Sequence, residues 1–228
     1  MVIHTIKPSV SLLSNNVRED GFIINLGNIL SAPYGREAYT MEKTKAVIRN
    51  CLHRGHLSVF EHCNISIKAI VNIGVYKCIT RHRHTAFTIE STNYCKYKEA
   101  YVIPSFTLTD EAREALEKVY EAYGSITNQK FARDLLPQCN AATMYMTTNI
   151  RELRYIIGLR LDPNESPLVR QFALKLWKAL NEAYPFFFPL SKDDEMALRA
   201  EWNMQSGRPN IDYQEEKDAF ESFFNTHN

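Results

Sequence analysis

Residues 81–94 read RHRHTAFTIESTNY, and no other stretch of the chain is so poorly suited to packing. Two arginines and two histidines stand side by side at Arg81, His82, Arg83 and His84, and seven residues separate Arg83 from Ser91, with Glu90 beside it. The preceding run GVYKCIT (74–80) has helical character, so the arginines fall at a helix end or early in the following loop. Cations there complement the carboxyl end of the helix dipole and can be offered to an anionic ligand. A short charge run is also what a solvated face looks like, so its meaning depends on the rest of the chain.

Two further segments carry the same kind of chemistry. Residues 149–160 read NIRELRYIIGLR. At about 100° per residue Asn149 and Arg160 share one helical face, while Arg151 lies roughly opposite Arg160. One helix therefore presents arginines to two different surroundings, which solvation alone does not require, although pairs such as Glu152 with Tyr155 or Arg151 with Tyr155 are the local alternative. Residues 55–62 read GHLSVFEH. Ser58 and Glu61 have the spacing of a capping pair. The nearby Cys51, His53, His56, His62 and Cys63 match neither a zinc finger nor a His-Glu-x-x-His helix, and on a helix His56 and His62 would point about 240° apart. No metal site is expected.

Taken together these segments resemble the flavin-dependent thymidylate synthases. An Arg-His-Arg, seven residues and a Ser is that family's signature, and in one branch the stretch continues as Glu-Ser-Thr-Arg-Tyr-Cys; here it is Arg81, His82, Arg83, then Glu90, Ser91, Thr92, Asn93, Tyr94 and Cys95. GHLSVFEH resembles the family's Gly-His-x-Ser-x-x-Glu-His, and Asn149, Arg151, Glu152, Arg154, Leu159, Arg160, Pro167 and Arg170 resemble its third motif. Arg133 completes the set, so the likeness runs in order from residue 55 to residue 170.

The resemblance implies a mixed α/β (α+β) fold and a homotetramer whose subunits share each active site, with FAD bound across the subunit interfaces. It implies reductive methylation of dUMP to dTMP, with methylenetetrahydrofolate giving the carbon, reduced FAD the hydride, and NADPH regenerating the flavin. It places His56, Ser58, Glu61, Arg81, His82, Arg83, Asn149 and Arg151 on the flavin. Glu90, Ser91, Arg133 and Arg160 fall around the nucleotide, with Arg160 on the reacting base. Fixed guanidinium groups suit such a reaction, because they hold phosphates and stabilise charge developing on the ring. The cofactor carries the redox step, so no protein nucleophile is demanded. Ser91 reads as a positioning group, since no His or Lys is placed by sequence to activate it.

The departures cluster in the same motifs. Asn93 stands for an arginine, Ile89 for Gln or Glu, Cys78 for a polar residue, Leu153 for Trp and Ser166 for His. Losing an arginine removes a charge-assisted contact of roughly 1.5–3 kcal/mol. An amide at Asn93 both donates and accepts, which suits the amino edge of cytosine. The alternative is therefore a dCMP methylase or hydroxymethylase of the same family, of the kind that modifies viral DNA precursors. A homologue without catalysis is a further alternative.

Composition narrows the classes. The 228 residues are 45% hydrophobic and 23% charged, ordinary values for one compact domain with a sizeable core. The single domain spans 1–228, with 207–228 a possible arm carrying Phe220, Phe223 and Phe224. A formal net charge of +1 argues against a protein that coats nucleic acid. A nucleic-acid module using Arg81–His84 and the basic, aromatic run Lys96–Tyr101 remains the competing class, and it predicts salt-sensitive binding. No apolar run approaches a membrane span, and five cysteines without Cys-x-x-Cys spacing read as reduced thiols; a cytoplasmic protein is expected. Cys139, after Pro137 and Gln138, imitates the nucleophile of the unrelated folate-dependent synthases, but Asn140 follows it and nothing adjacent lowers its pKa; it reads as a small buried residue.

The remaining pattern predicts a strand over 2–12 broken by Pro8, loops over 13–35, helices over 41–52, 109–126 and 167–184, a strand over 64–71 and an edge strand ending at Pro104. Phe131–Pro137 continues helically, and Phe186–Phe188 reads as core or interface.

Overall fold

The computed structural model describes residues 2–105, 107–162 and 164–189. Its frame is two strand-to-helix units laid against one another. β3 (Asn64–Asn72) runs into α3 (Ile73–Ile79), and β6 (Ala141–Asn149) runs into α6 (Ile150–Arg160). The strands pair antiparallel over their whole length, from Asn64 opposite Asn149 to Asn72 opposite Ala141. An asparagine ends each strand and caps the helix that follows. Asn72 Oδ1 accepts from the Val75 amide at 2.8 Å and Asn149 Oδ1 from the Glu152 amide at 2.9 Å, satisfying donors that the first helical turn leaves open.

β2 (Ser9–Leu12) and β4 (Thr85–Ile89) complete the sheet, in the order β2-β3-β6-β4 with every pair antiparallel. Alternation decides which face is covered. Ile65, Ile67, Ala69 and Val71 of β3, with Met144 and Met146 of β6, point into the core, while Ser66, Lys68, Tyr145 and Thr147 line the other face. The inner face packs against α1 (Glu19–Ser31), α2 (Met41–His53), α6 and α7 (Pro167–Ala183), whose buried residues include Ile23, Leu26, Ile48, Leu153, Phe172 and Trp177. Phe187 and Phe188 close this core. A second, smaller core joins β1 (Ile3–Thr5), its parallel partner β5 (Ala100–Val102) and α4 (Asp110–Ser125) through Ile3, Val102, Tyr120 and Tyr123. Pro8 thus separates two short strands that belong to different sheets.

The expected helices at 41, 109 and 167 form, with Thr40, Thr109 and Ser166 as caps and Pro167 in the first turn. The loop reading of 13–35 is wrong. Asn and Gly residues in that span suggested turns, yet α1 occupies Glu19–Ser31 and buries Phe22, Ile23, Leu26 and Leu30. Its Gly27 is a close approach: a Cβ there would lie 2.8 Å from Thr44 Oγ1 of α2 and 3.0 Å from the Tyr39 carbonyl. Gly55 does end the turn after α2, at φ +69, a conformation glycine adopts without strain. The edge strand ending near Pro104 shrinks to β5, and the helical run at 131–137 is a short α5 (Gln129–Ala132) followed by a 3-10 turn at Arg133–Leu135. The expected C-terminal arm lies outside the described residues. Among the described residues no helix is long and apolar enough to cross a membrane.

Candidate functional site

The junction of β6 and α6 opens a cleft of about 460 Å³, lined by Glu61, His84, Asn149, Arg151, Glu152 and Tyr155. Asn149 supplies an amide from the cap position, and Arg151 leaves the first turn of α6 toward solvent, where it pairs with Glu61. Glu61 sits on the 3-10 turn Ser58–His62, whose start has no side-chain cap. The expected Ser58–Glu61 capping pair therefore does not form, and Glu61 faces the cleft instead. His56 and Ser58 are exposed on the same segment. The volume is that of a small-molecule site, and the lining offers a cation, an amide, carboxylates and an aromatic ring.

Arg81 and Arg83 lie just beyond the carboxyl end of α3, as the sequence suggested, and both are exposed. Among the described residues neither has an acidic partner. His82 behaves differently from its neighbours. It is 6% exposed, its Nδ1 lies 2.9 Å from Glu152 Oε1, and its Nε2 accepts from Arg160 Nε at 3.1 Å. Arg160 also donates to Glu165 and, through Nη2, to the Cys78 carbonyl at 3.0 Å. Arg151 and Arg160 thus face different surroundings, and tertiary partners take the place of the local i, i+4 pairs.

Glu90, Ser91, Asn93 and Arg133 gather elsewhere. Arg133 Nη1 donates to Asn93 Oδ1 at 2.7 Å, the Asn93 backbone N–H donates to Ser91 Oγ at 3.3 Å, and Glu90 Oε2 accepts from the Thr143 backbone N–H at 3.1 Å. This group follows the end of β4, whereas Arg83 and His84 precede its start. Five residues of strand span roughly 15 Å. Within one chain, Arg160 makes its hydrogen bonds to His82, Glu165 and Cys78, and none to Ser91, Asn93 or Arg133. The structure therefore brings the predicted residues together as two groups at opposite ends of one strand.

Several contributors were given no site role from the sequence. His84 and Tyr155 line the cleft, Glu152 and Glu165 anchor His82 and Arg160, and Tyr155 meets the His82 ring edge-on at 5.8 Å. The helical register of Tyr155, one turn past Arg151, was the available signal; no local signal marks Glu165. The departures find structural roles. Leu153 is wholly buried, Ile89 and Cys78 pack against the main core, and Ser166 Oγ caps α7 by accepting from the Val169 amide at 3.4 Å.

The thiols offer no nucleophile at these positions. Burial pushes Cys63 up to about 12 and raises Cys51 and Cys139; Cys139 is half-buried rather than buried, against the smaller core. Among the described residues no group of three His, Cys, Asp or Glu side chains could hold a metal ion.

An antiparallel sheet with helices on one face, and a polar cleft where a strand becomes a helix, define a mixed α/β protein. The chain belongs to the thymidylate synthase complementing protein family, whose model matches residues 13–186. It is similar to the flavin-dependent thymidylate synthase of Kosmotoga olearia, 25% identical over 67% of this chain and 77% of that protein. A second, from Thermotoga neapolitana, is 26% identical over 72% of this chain and 85% of the relative. Among solved structures it resembles the UMP/dUMP methylase PolB from Streptomyces cacaoi bound with 5-Br dUMP, with a TM-score of 0.66, 20% identity, and coverage of 82% of this chain and 95% of that one.

Proposed function

We propose that the protein transfers a one-carbon unit from methylenetetrahydrofolate to carbon 5 of a pyrimidine deoxynucleoside monophosphate, with dUMP as substrate and dTMP as product. The observation that carries this reading is the separation of two polar groups along β4: the Arg151 cleft and the His82–Arg160 cluster before its start, and Arg133 with Ser91 and Asn93 beyond its end. A flavin-dependent synthase needs two anion sites, one for the cofactor and one for the nucleotide.

The cleft residues fit FAD. Arg151 and the exposed Arg81 and Arg83 suit its phosphates, Asn149 its polar ring edge, and Tyr155 a stacked ring, with His56, Ser58 and Glu61 on the facing segment. His82 belongs behind this surface, since both its ring nitrogens are engaged within the chain. Bound there, reduced FAD would supply the hydride, and NADPH would return the oxidised flavin to the reduced form. Ser91 and Arg133 hold the nucleotide phosphate, Glu90 stays fixed to β6, and Arg160 meets the pyrimidine, where a guanidinium stabilises negative charge on the ring. Separation of the two groups along β4 supports an active site completed by a second copy, in a cytoplasmic homotetramer.

Asn93 bears on the choice of base. Its carbonyl oxygen is engaged by Arg133, so the residue orients a cation rather than offering a free acceptor to the amino group of cytosine. That favours dUMP over the dCMP methylase or hydroxymethylase alternative. The test is to incubate the purified protein with FAD, NADPH and methylenetetrahydrofolate, and with dUMP, dCMP or UMP in turn, and to weigh the nucleotides by mass spectrometry. A methyl gained by dUMP is expected. Mass gained only by dCMP refutes the choice of base, and no gain on any nucleotide refutes the reaction.

A further inference from the structure

We infer that Glu152 is a positioning residue that sets the direction of Arg160 by fixing the tautomer of His82, an inference that rests on the pyrimidine nucleotide reading above. Arginine has five N–H groups and no acceptor. Because Arg160 Nε can only donate, the His82 Nε2 that receives it at 3.1 Å must be bare. A neutral imidazole with a bare Nε2 carries its proton on Nδ1, which donates to Glu152 Oε1 at 2.9 Å. The Glu152 carboxylate can only accept when ionised, so it selects this tautomer and excludes the one that would set two N–H groups against each other.

The chain of contacts is enclosed. The side chains of His82 and Glu152 are 4% and 10% exposed, and those of Arg160 and Glu165 are 12% and 22%. Glu165 and the Cys78 carbonyl hold two more donors of the guanidinium, so three of its five N–H groups are engaged and two remain for a ligand. Glu152 thus serves two sites from one position: its side chain lines the cleft, and through His82 it aims the arginine that meets the base. Tyr155, edge-on to the His82 ring, limits rotation of the imidazole.

Removing the acceptor frees the tautomer. In Glu152→Ala the ring can move its proton to Nε2, and the Arg160 Nε contact is then lost. In Glu152→Gln the side-chain carbonyl still accepts from Nδ1, so the same tautomer is kept. A merely structural role also separates an isosteric variant from a truncation, but it would not move the Nε2 proton or weaken nucleotide binding without weakening that of the sugar phosphate.

The test has two arms. In the ligand-free protein, ¹⁵N spectra of histidine-labelled samples at neutral pH, assigned with His82→Phe, should show a bare Nε2 for wild type and Glu152→Gln, and Nε2 protonation in Glu152→Ala. In the second arm, calorimetry measures dUMP and 2-deoxyribose 5-phosphate, which lacks the base. Glu152→Ala should bind dUMP roughly tenfold more weakly, the scale of one lost hydrogen bond to a charged group, and keep its sugar phosphate affinity within about twofold. Glu152→Gln should match wild type for both. The inference is overturned if Nε2 is protonated in wild type, if Glu152→Gln loses as much as Glu152→Ala, or if both ligands weaken equally. Wild type that binds neither ligand would refute the nucleotide reading alone, while the spectra still decide the tautomer.

Discussion

Replacing Asn93 by arginine restores the charge that the family signature carries at this position, and its consequence can be worked from the geometry. Asn93 Oδ1 lies 2.7 Å from Arg133 Nη1, so the new guanidinium enters the immediate neighbourhood of an existing one. Two such charges about 4 Å apart repel by about 1 kcal/mol in water and about 4 kcal/mol at an effective dielectric of 20. The Arg133 side chain is 42% exposed, which puts the cost near the lower figure. Asn93→Arg should therefore lose about 1 kcal/mol of stability without ligand, a fall in Tm of roughly 2–4 °C for a chain of this size. A nucleotide phosphate bound between the two cations reverses the balance. A charge-assisted hydrogen bond contributes about 1.5–3 kcal/mol, and ordering the longer side chain offsets part of it, leaving roughly tenfold tighter binding. Calorimetry with dUMP and with 2-deoxyribose 5-phosphate is the assay, and both ligands should gain. Unchanged or weaker affinity in a variant with wild-type circular dichroism would refute the placement of the phosphate beside Asn93 and Arg133.

Three further outcomes follow from other parts of the molecule. Arg151→Met breaks a half-exposed pair with Glu61 and should cost at most about 1 kcal/mol in chemical denaturation, yet the purified protein should retain much less FAD, read from its visible spectrum. Ile67→Ala empties a wholly buried position in the middle of β3, and denaturant titration should show a loss of roughly 2–5 kcal/mol. Burial raises the Cys63 thiol to about 12 from an ordinary 9.0. Between those values the unfolded chain ionises first, so stability should be insensitive to this group below pH 9.0 and fall as pH rises toward about 12. Denaturation across that range should show a shallower decline in Cys63→Ala.

The sequence made the helices legible where capping residues and apolar spacing coincide, at Thr40, Thr109 and Ser166. It hid α1, because Gly21, Gly27 and three asparagine-type breaks at Asn15, Asn16 and Asn28 outweighed the spacing of Phe22, Leu26 and Leu30. Gly27 is there to admit α2, a requirement set by a distant residue. β6 was equally hidden, although it is central to the sheet: its inward residues are methionines and small side chains, and its outer residues are Thr143, Tyr145 and Thr147, so the contrast between faces is weak. The motifs located Arg81, Arg83, Asn149, Arg151 and Arg160 in the chain. They could not show that His82 is buried or that Glu165, which carries no local signal, grips Arg160, because those contacts join segments 70 or more residues apart or depend on a turn after α6.

Whether bound flavin drives carbon transfer to a pyrimidine nucleotide is decided by a single anaerobic turnover. The protein loaded with reduced FAD is mixed with dUMP and methylenetetrahydrofolate, its visible flavin absorbance is followed, and the nucleotide is then analysed. The absorbance of oxidised flavin should return only when both substrates are present, with dTMP formed in equal amount to the flavin oxidised. Flavin that stays reduced, or that is oxidised without any dTMP, would contradict the proposed transfer.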